Sequence, residues 1–313
     1  RCFFHGIIRN EQGKKISKSM ENIDQYDPKN LIKEHGADAL RFTLLSNTVV
    51  GKDMNLNPAS VEAARHFCNK MWQSTRFVFG NIKEDEKVPK LNPKMNKKMT
   101  AGDKWILSRL NSLIAKCTQS LDEEKILEYA RDFYNFYWEE FCDWYVEITK
   151  VRLYSNDESI DKSVPKAVLL NILETSYRLI HPVMPFITET LWQALPENHR
   201  KGPSISVAEW PKPDEKRIMP EIEAEFNLIM DIIKKIRNMR ATFNIKPGMR
   251  IPAIFSTQSK EAILNEFKGE IAELARIDEG KIQIVGEVES PKLAGRVVFD
   301  GGIAFLPLEN FVF

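Results

Sequence analysis

Between Pro58 and Arg240 the chain keeps apolar residues at spacings of three and four, and this periodicity constrains the fold more than any other feature. An α-helix turns once every ~3.6 residues, so such spacing lines one helical face. Val61, Ala64, Phe67, Cys68, Met71, Trp72 and Phe79 trace a first helix starting at Pro58. Trp105, Leu110, Leu113, Ile114 and Leu121 trace a second. A third begins near Glu124 and is dense in rings: Tyr129, Phe133, Phe136, Tyr137, Phe141, Trp144 and Tyr145. Their period already explains them as core rather than as a ligand platform. A fourth covers 165–180 and is punctuated by His181-Pro182 and Met184-Pro185, because proline cannot continue the hydrogen-bond ladder. A shorter helix from Phe186 to Leu195, an irregular Pro-rich stretch over 196–217 and a last helix from Pro220 to Thr242 complete the pattern. The expectation is a mainly α chain built on a helix bundle.

The flanks differ. Residues 3–9, with Phe3, Phe4, Ile7 and Ile8, read as a strand with no domain before it; the first residue is Arg1 rather than Met, so the chain reads as cut from a longer protein. A polar loop from Asn10 to Ser19 follows. Asp27-Pro28 predicts a helix start with proline at the first position, and Gly36 a stop after His35. A second short helix holds Ala39, Leu40, Phe42, Leu44 and Leu45, and the lysine-rich stretch around Pro89 and Pro93 reads as an exposed connection. After the turn at Pro247-Gly248, residues 250–255 read as a strand and 260–276 as an amphipathic helix. Gln283–Val285, Gly295–Phe299 and Ile303–Leu306 read as short strands around Gly301-Gly302. This predicts a short α/β remnant over 1–57, a helix bundle over 58–247 and a small α/β module over 248–313.

Composition narrows the function classes. Hydrophobic residues at 43% and charged residues at 28% are those of a soluble globular chain, and no apolar stretch is long enough to span a bilayer. Cys2, Cys68, Cys117 and Cys142 are isolated from one another and from any His at ligand spacing, so no metal site is expected. Isolated cysteines point to a reducing compartment, taken as cytoplasmic. With 45 basic against 44 acidic residues the net charge is +1, so any nucleic-acid site must be local and read shape and bases.

Lys15-Ile16-Ser17-Lys18-Ser19 is the sharpest chemical signal. Two ammonium groups and two hydroxyls a few positions apart can wrap a polyphosphate, and lysine is a compact point charge suited to charge that moves between phosphates. A lysine/serine loop is also ordinary solvated surface, and five residues alone do not separate the two readings.

Residues 13–46 resemble, along their whole length, the KMSKS loop and following stem-contact region of class I aminoacyl-tRNA synthetases. Ile16 replaces Met, and Asp27-Pro28, Gly36-Ala37-Asp38 and Arg41 keep the family spacing. Within the class, further segments are similar to valyl-tRNA synthetases: Gly51-Lys52-Asp53, Arg65 to Trp72 with Thr75-Arg76-Phe77, Asp143-Trp144-Tyr145, His181 to Trp192, and Ile236 to Arg240 followed by Ile245-Lys246-Pro247. The C-terminal module ending near Phe305 to Leu308 is similar too, so the resemblance covers essentially the whole chain. In bacterial-type members a coiled-coil arm follows that module.

The resemblance implies an ATP-dependent aminoacyl-tRNA ligase as the parent, using Mg with ATP and attaching valine to tRNA(Val), with this chain as a monomeric tRNA-binding portion. Lys15 and Lys18 would contact the ATP phosphates, Lys18 stabilising departing pyrophosphate, while Ser17 and Ser19 would shape the loop. No HIGH-type motif lies in the chain, and the valine pocket and editing domain would precede Arg1, so the chain is not expected to aminoacylate alone. The bundle is similar to class Ia anticodon-binding domains, whose unpaired bases can stack and be read at their edges. That maps Lys70, Arg76 and Phe77 onto anticodon contacts, with Arg237 and Arg240 as further tRNA contacts and Lys234 and Lys235 adding charge. Phe77 reads equally as core, and Lys70 and Arg76 as a solvated face; Glu221, Glu223 and Glu225 fit an ordinary exposed helix. Ala59 and Ser60 stand where the family can carry another arginine. The alternatives are the equivalent part of an isoleucyl-tRNA synthetase, a non-catalytic tRNA-binding scaffold, and a helical interaction domain without a nucleic-acid role.

Overall fold

A computed structural model describes residues 6–49 and 51–308; Cys2, Phe3 and Phe4 lie outside the described residues. The chain divides into two compact units, one made of residues 1–98, 109–146 and 157–218, the other of 99–108, 147–156 and 219–313.

The first unit opens with strand β1 (Ile8–Arg9), paired in parallel with β2 (Met54–Asn55). Between them lie helices α1 (Pro28–His35) and α2 (Ala37–Ser46). Helix α1 starts where the sequence predicts: the Asp27 carboxylate accepts from the Lys29 amide at 2.7 Å, and proline occupies the first turn. It ends at Gly36, whose φ of 91° suits a residue without Cβ.

The bundle continues with α3 (Pro58–Gly80), α4 (Ala101–Asp122) and α5 (Ile126–Asn135). Helix α5 runs into a π-helical stretch, Phe136–Tyr145, and on into α6 (Val146–Leu153). Helices α7 (Ser163–Ile180) and α8 (Pro185–Gln193) follow, then short 3-10 turns through 197–217. The π stretch departs from the uniform 3.6-residue reading. Its i→i+5 hydrogen bonds bring positions four and five apart onto one face, which carries Phe136, Tyr137, Phe141, Cys142 and Tyr145, with Trp144 buried as well. All seven rings expected in the core are buried.

Two polar contacts fix the register of this core. Ser74 and Thr75 of α3 share hydrogen bonds with the buried hydroxyls of Tyr137 at 2.9 Å and Tyr177 at 2.5 Å. Phe67 packs between Phe42 at 5.2 Å and Tyr134 at 4.9 Å between ring centroids. One expectation for α3 fails: Trp72, assigned to the apolar face, is 43% exposed.

The second unit joins parts of α4 and α6 to α9 (Pro220–Thr242), β3 (Ile251–Thr257), α10 (Glu261–Glu266), α11 (Lys268–Ala275), β4 (Ile277–Val285), β5 (Ala294–Phe299) and β6 (Gly302–Pro307). The sheet order is β4-β3-β6-β5, with β3 parallel to β4 and antiparallel to β6. The single helix expected over 260–276 is broken at Phe267, whose buried ring packs edge-on to Phe226 at 5.5 Å. Strand β4 also begins earlier than its apolar tip predicts: Ile277 pairs with Ile251, and the register then shifts across 278–281 before Ile282 pairs with Ala253. Trp105 stacks on Phe226 at 4.0 Å. A Cβ at Gly295 would come within 2.9 Å of Met239, so α9 approaches β5 closely there.

Candidate nucleotide loop and nucleic-acid face

The loop of interest is pinned at its base and open at its tip. Asn10 is buried, its side-chain oxygen accepting from the amides of Gln12 at 3.1 Å and Lys14 at 2.8 Å. Its own amide donates to the Lys14 carbonyl at 2.8 Å, and Arg9 bridges to Lys15 in antiparallel fashion. Gly13, at a φ of 75°, makes the turn. Arg9 is held by Asp53 at 2.6 Å, and Asp53 also accepts from the Ile7 amide at 2.8 Å. That amide, followed by the Arg9 guanidinium, keeps the Asp53 carboxyl below its usual range. Ile16 faces an apolar cavity of about 340 Å3 lined with Ile8, Tyr26, Leu31, Leu40 and Leu56. Lys15, Ser17, Lys18 and Ser19 are exposed, with the two hydroxyls 3.1 Å apart. An apolar anchor with cations on the open side can bind polyphosphate oxygens.

The α2 helix is fastened to the α7–α8 turn by two charged side chains. Asp38 is buried, and its carboxylate accepts from the first amides of α8, Phe186 at 3.3 Å and Ile187 at 2.6 Å. Arg41 donates to the carbonyls of Val183 at 2.9 Å and Pro182 at 3.0 Å. Burial pushes the Asp38 carboxyl up, opposed by these two amides and by Arg41. Asp38→Ala strips α8 of its cap and is expected to cost about 1–2 kcal/mol. Urea unfolding reads this directly, and an unchanged midpoint would show that the cap contributes nothing.

The structure separates the three α3 candidates. Lys70 is half-buried, its ammonium 2.8 Å from Asp143 and 5.0 Å from the Trp138 ring centroid. Trp138 stacks in turn on Tyr134 at 5.6 Å, and both rings are half-buried. Arg76 points to solvent with Gln73 as a weak 3.5 Å partner, and Phe77 is half-buried. Arg65, Asn69, Trp72 and Arg76 are all exposed, and helical spacing puts them on one face. Base stacking on Trp72 or Trp138 and phosphate or base-edge contact from Arg76 are the chemistry this surface offers.

Arg240 is turned inward, whereas Arg237 is exposed and gives one donor to the protein. Arg240 is 6% exposed, and its guanidinium donates to the carbonyls of Arg276 at 3.1 Å, Lys246 at 3.1 Å and Met249 at 2.7 Å. Arg237 donates from Nε to the Leu274 carbonyl at 2.8 Å, and Lys235 to Asp231 at 2.7 Å and the Val298 carbonyl at 3.0 Å. Cys117 and Cys142 are buried and Cys68 half-buried, and burial pushes each thiol up to about 12. Such thiols are packing residues, not nucleophiles.

Sequence reasoning missed Trp72 as a surface ring, Trp138 as the partner of Lys70, and the Asp38–Arg41 clamp. Spacing could have found the first, since Trp72 lies one turn from Arg76 amid polar neighbours. Nothing in the local sequence announces the other two, which depend on segments far apart.

Comparison with known proteins agrees with this arrangement. Residues 1–57 match the family of class I tRNA synthetases (I, L, M and V), and residues 103–255 match the anticodon-binding domain of tRNA ligases. These two stretches are thus similar to parts of class I tRNA synthetases. The chain's homologues within that class are valine–tRNA ligases. It is 36% identical to that of Bacillus cereus over 309 residues, and 38% identical to that of Carboxydothermus hydrogenoformans over 312 residues. Each alignment takes in 98% of this chain and 34% of the relative, so the chain spans about a third of the length of these curated relatives. Among solved structures, the fold is similar to that in the LeuRS–tRNA–LeuAMS ternary complex of Agrobacterium radiobacter K84, at a TM-score of 0.51 and 20% identity. That match covers 69% of this chain and 24% of the other. Mycobacterium tuberculosis methionyl-tRNA synthetase with methionyl-adenylate matches at a TM-score of 0.50 and 22% identity, over 63% of this chain and 39% of that one.

Proposed function

We propose that this chain is the tRNA-holding portion of a valine–tRNA ligase, which joins valine to tRNA(Val) at the expense of ATP. The similarity to valine–tRNA ligases over nearly the whole chain carries this reading. In it, residues 1–57 supply the nucleotide loop and stem-contact region, 58–247 the anticodon-binding bundle, and 248–313 a junction module. Lys15 and Lys18 hold the ATP phosphates, with Ser17 and Ser19 shaping the loop. The exposed ammonium groups over an apolar anchor fit a polyanion. Mg enters with ATP as its counter-ion; among the described residues no group of three His, Cys, Asp or Glu is placed to hold a metal. The partners are tRNA(Val), ATP and valine, the working unit is a monomer, and its compartment is the cytoplasm. Among the described residues no helix is long and apolar enough to cross a membrane.

On tRNA, Arg76 is the strongest contact and Phe77 lies beside it on α3. Lys70, neutralised by Asp143, orients Trp138 more than it attracts phosphate. Arg237 and Arg240 spend donors on internal carbonyls, and we assign them to holding the C-terminal module rather than to tRNA.

Binding of this chain to tRNA carrying a valine anticodon, compared with the same tRNA carrying an isoleucine anticodon at two salt concentrations, tests the reading. We expect preference for the valine anticodon. Arg76→Ala should weaken binding about tenfold, or ~1.4 kcal/mol, and Lys70→Ala less. Equal binding to both tRNAs, untouched by Arg76→Ala, would remove the assignment and favour a scaffold role.

A further inference from the structure

Five cations of the second unit gather where helix α11 ends. Arg237 donates from Nε to the Leu274 carbonyl at 2.8 Å, and Arg240 to the Arg276 carbonyl at 3.1 Å. Arg250 donates to the carbonyls of Ala272 at 3.3 Å and Ile277 at 3.1 Å. Arg276 follows the helix directly, and Lys246 is tied in through its carbonyl, which accepts from Arg240 at 3.1 Å. A helix end leaves carbonyls unpaired and carries partial negative charge, so guanidinium donors belong there. That structural role accounts for Arg237, Arg240 and Arg250. It does not account for Arg276 or Lys246, whose side chains bond none of these carbonyls.

Arg276 stands in the left-handed region, at φ 55° and ψ 50°. Glycine suits this position after a helix, and a residue with Cβ is strained there. A long cationic side chain at such a place calls for a use. It is exposed, and its Nη1 donates to Glu273 Oε1 at 2.7 Å. Glu273 Oε2 accepts from Arg250, so one carboxylate holds two guanidiniums side by side. Nε and Nη2 of Arg276 and the exposed Lys246 ammonium find no acceptor among the described residues. Charge is unbalanced as well. The five cations share the bonded carboxylate of Glu273, while Glu147, whose charge reaches Arg237, is paired with Lys150 at 2.6 Å. Partial desolvation, and then the repelling Arg276 charge, hold Arg237 and Arg240 below the ordinary guanidinium range, with Glu147 opposing this at Arg237. Like charges gathered in this way attract an anion from outside.

We propose that this cluster grips the phosphate backbone of RNA, with Arg276, Arg250 and Lys246 as the contacting groups. Guanidinium forks match phosphate oxygens in pairs, and the Glu273 bridge already fixes two such forks. Several clustered cations suit a polyanion better than a single small ion, which one fork would satisfy. Contacts of this kind hold and orient a nucleic acid without reading its sequence. Arg237 and Arg240 keep their structural role and add charge behind the contacting groups. The inference rests on the proposed function for the identity of the RNA, tRNA, and adds a contact surface that the α3 face does not include.

Equilibrium binding of the chain to tRNA with a valine anticodon, and to the same tRNA with an isoleucine anticodon, is measured across a series of salt concentrations. Arg276→Gly relieves the strained φ, so its unfolding midpoint in urea should equal or exceed that of the unsubstituted chain. Affinity should nevertheless fall about three- to tenfold, equally for both tRNAs, and the slope of log K against log salt should flatten by about one. Lys246→Gln, at an exposed position, should act in the same way. A purely structural role predicts the reverse, a change in stability with RNA binding untouched. Unchanged affinity and slope in both variants overturns the site, and so does a loss confined to one anticodon. If that happens while Arg76→Ala still lowers affinity, the proposed function stands without this contact. No binding to either tRNA removes both.

Discussion

Replacing Arg152 with Ala is expected to destabilise the second unit by about 3–5 kcal/mol, the usual consequence of orphaning a buried charge. Asp103 is completely buried. Its carboxylate receives both terminal nitrogens of Arg152, one at 2.8 Å, and the Thr100 amide at 3.0 Å. The Asp103 amide in turn donates to the Thr100 hydroxyl oxygen at 3.3 Å, so the two residues close a reciprocal cap at the start of α4. Without Arg152 the carboxylate would have to stay charged in an apolar surround or take up a proton, and either course costs folding free energy. Glu270 sharpens the test. Burial pushes its carboxyl up, and the Arg152 charge is among the influences holding it down. Adding Glu270→Gln to Arg152→Ala should therefore return part of the loss. Urea unfolding of the single and double variants gives both values; a loss under about 1 kcal/mol would mean that the pair behaves like a surface ion pair.

How much of this was legible depended on whether the cause was local. Asp27-Pro28 and Gly36 bound α1 because a cap and a stop act within one turn. The seven rings from Tyr129 to Tyr145 were placed in the core by their spacing, although the π stretch that carries most of them follows from three-dimensional packing. Trp72 was misplaced because hydrophobicity was allowed to outrank position: Cys68 and Met71 drew it to the apolar side, while Asn69, Gln73 and Arg76 mark its true face. The inward setting of Arg240 was hidden for the opposite reason. A basic residue on a helix suggests an external partner, yet its three acceptors are carbonyls 6, 9 and 36 positions away. The lysine/serine loop was visible as five residues, but the bonds that pin its base were not. Those come from Asn10 and from Asp53, which lies 44 positions beyond Arg9.

That pinned base bears on the second large effect, the response to Lys18→Ala. In an enzyme assembled from this segment and the remaining two thirds of a relative, the substitution should slow amino-acid-dependent pyrophosphate exchange about 10²–10³-fold, as loss of one preorganised donor does. The KM for ATP should rise much less. In the ground state the triphosphate charge is spread over several oxygens and shared with Lys15 and Mg. As the bond between the α- and β-phosphates breaks, negative charge gathers on the departing pyrophosphate, and only a cation already in place stabilises it without reorganisation. Ile16 in its apolar cavity and the pinned base at Asn10 hold the following residues near that position. Lys18 is exposed and should be replaceable without harming the fold. The split between kcat and KM then decides its role. A fall in kcat at near-constant KM places Lys18 on the developing charge, whereas a rise in KM at constant kcat makes it a ground-state phosphate contact like any other lysine. Unchanged exchange would remove Lys18 from the chemistry altogether and leave the loop as solvated surface.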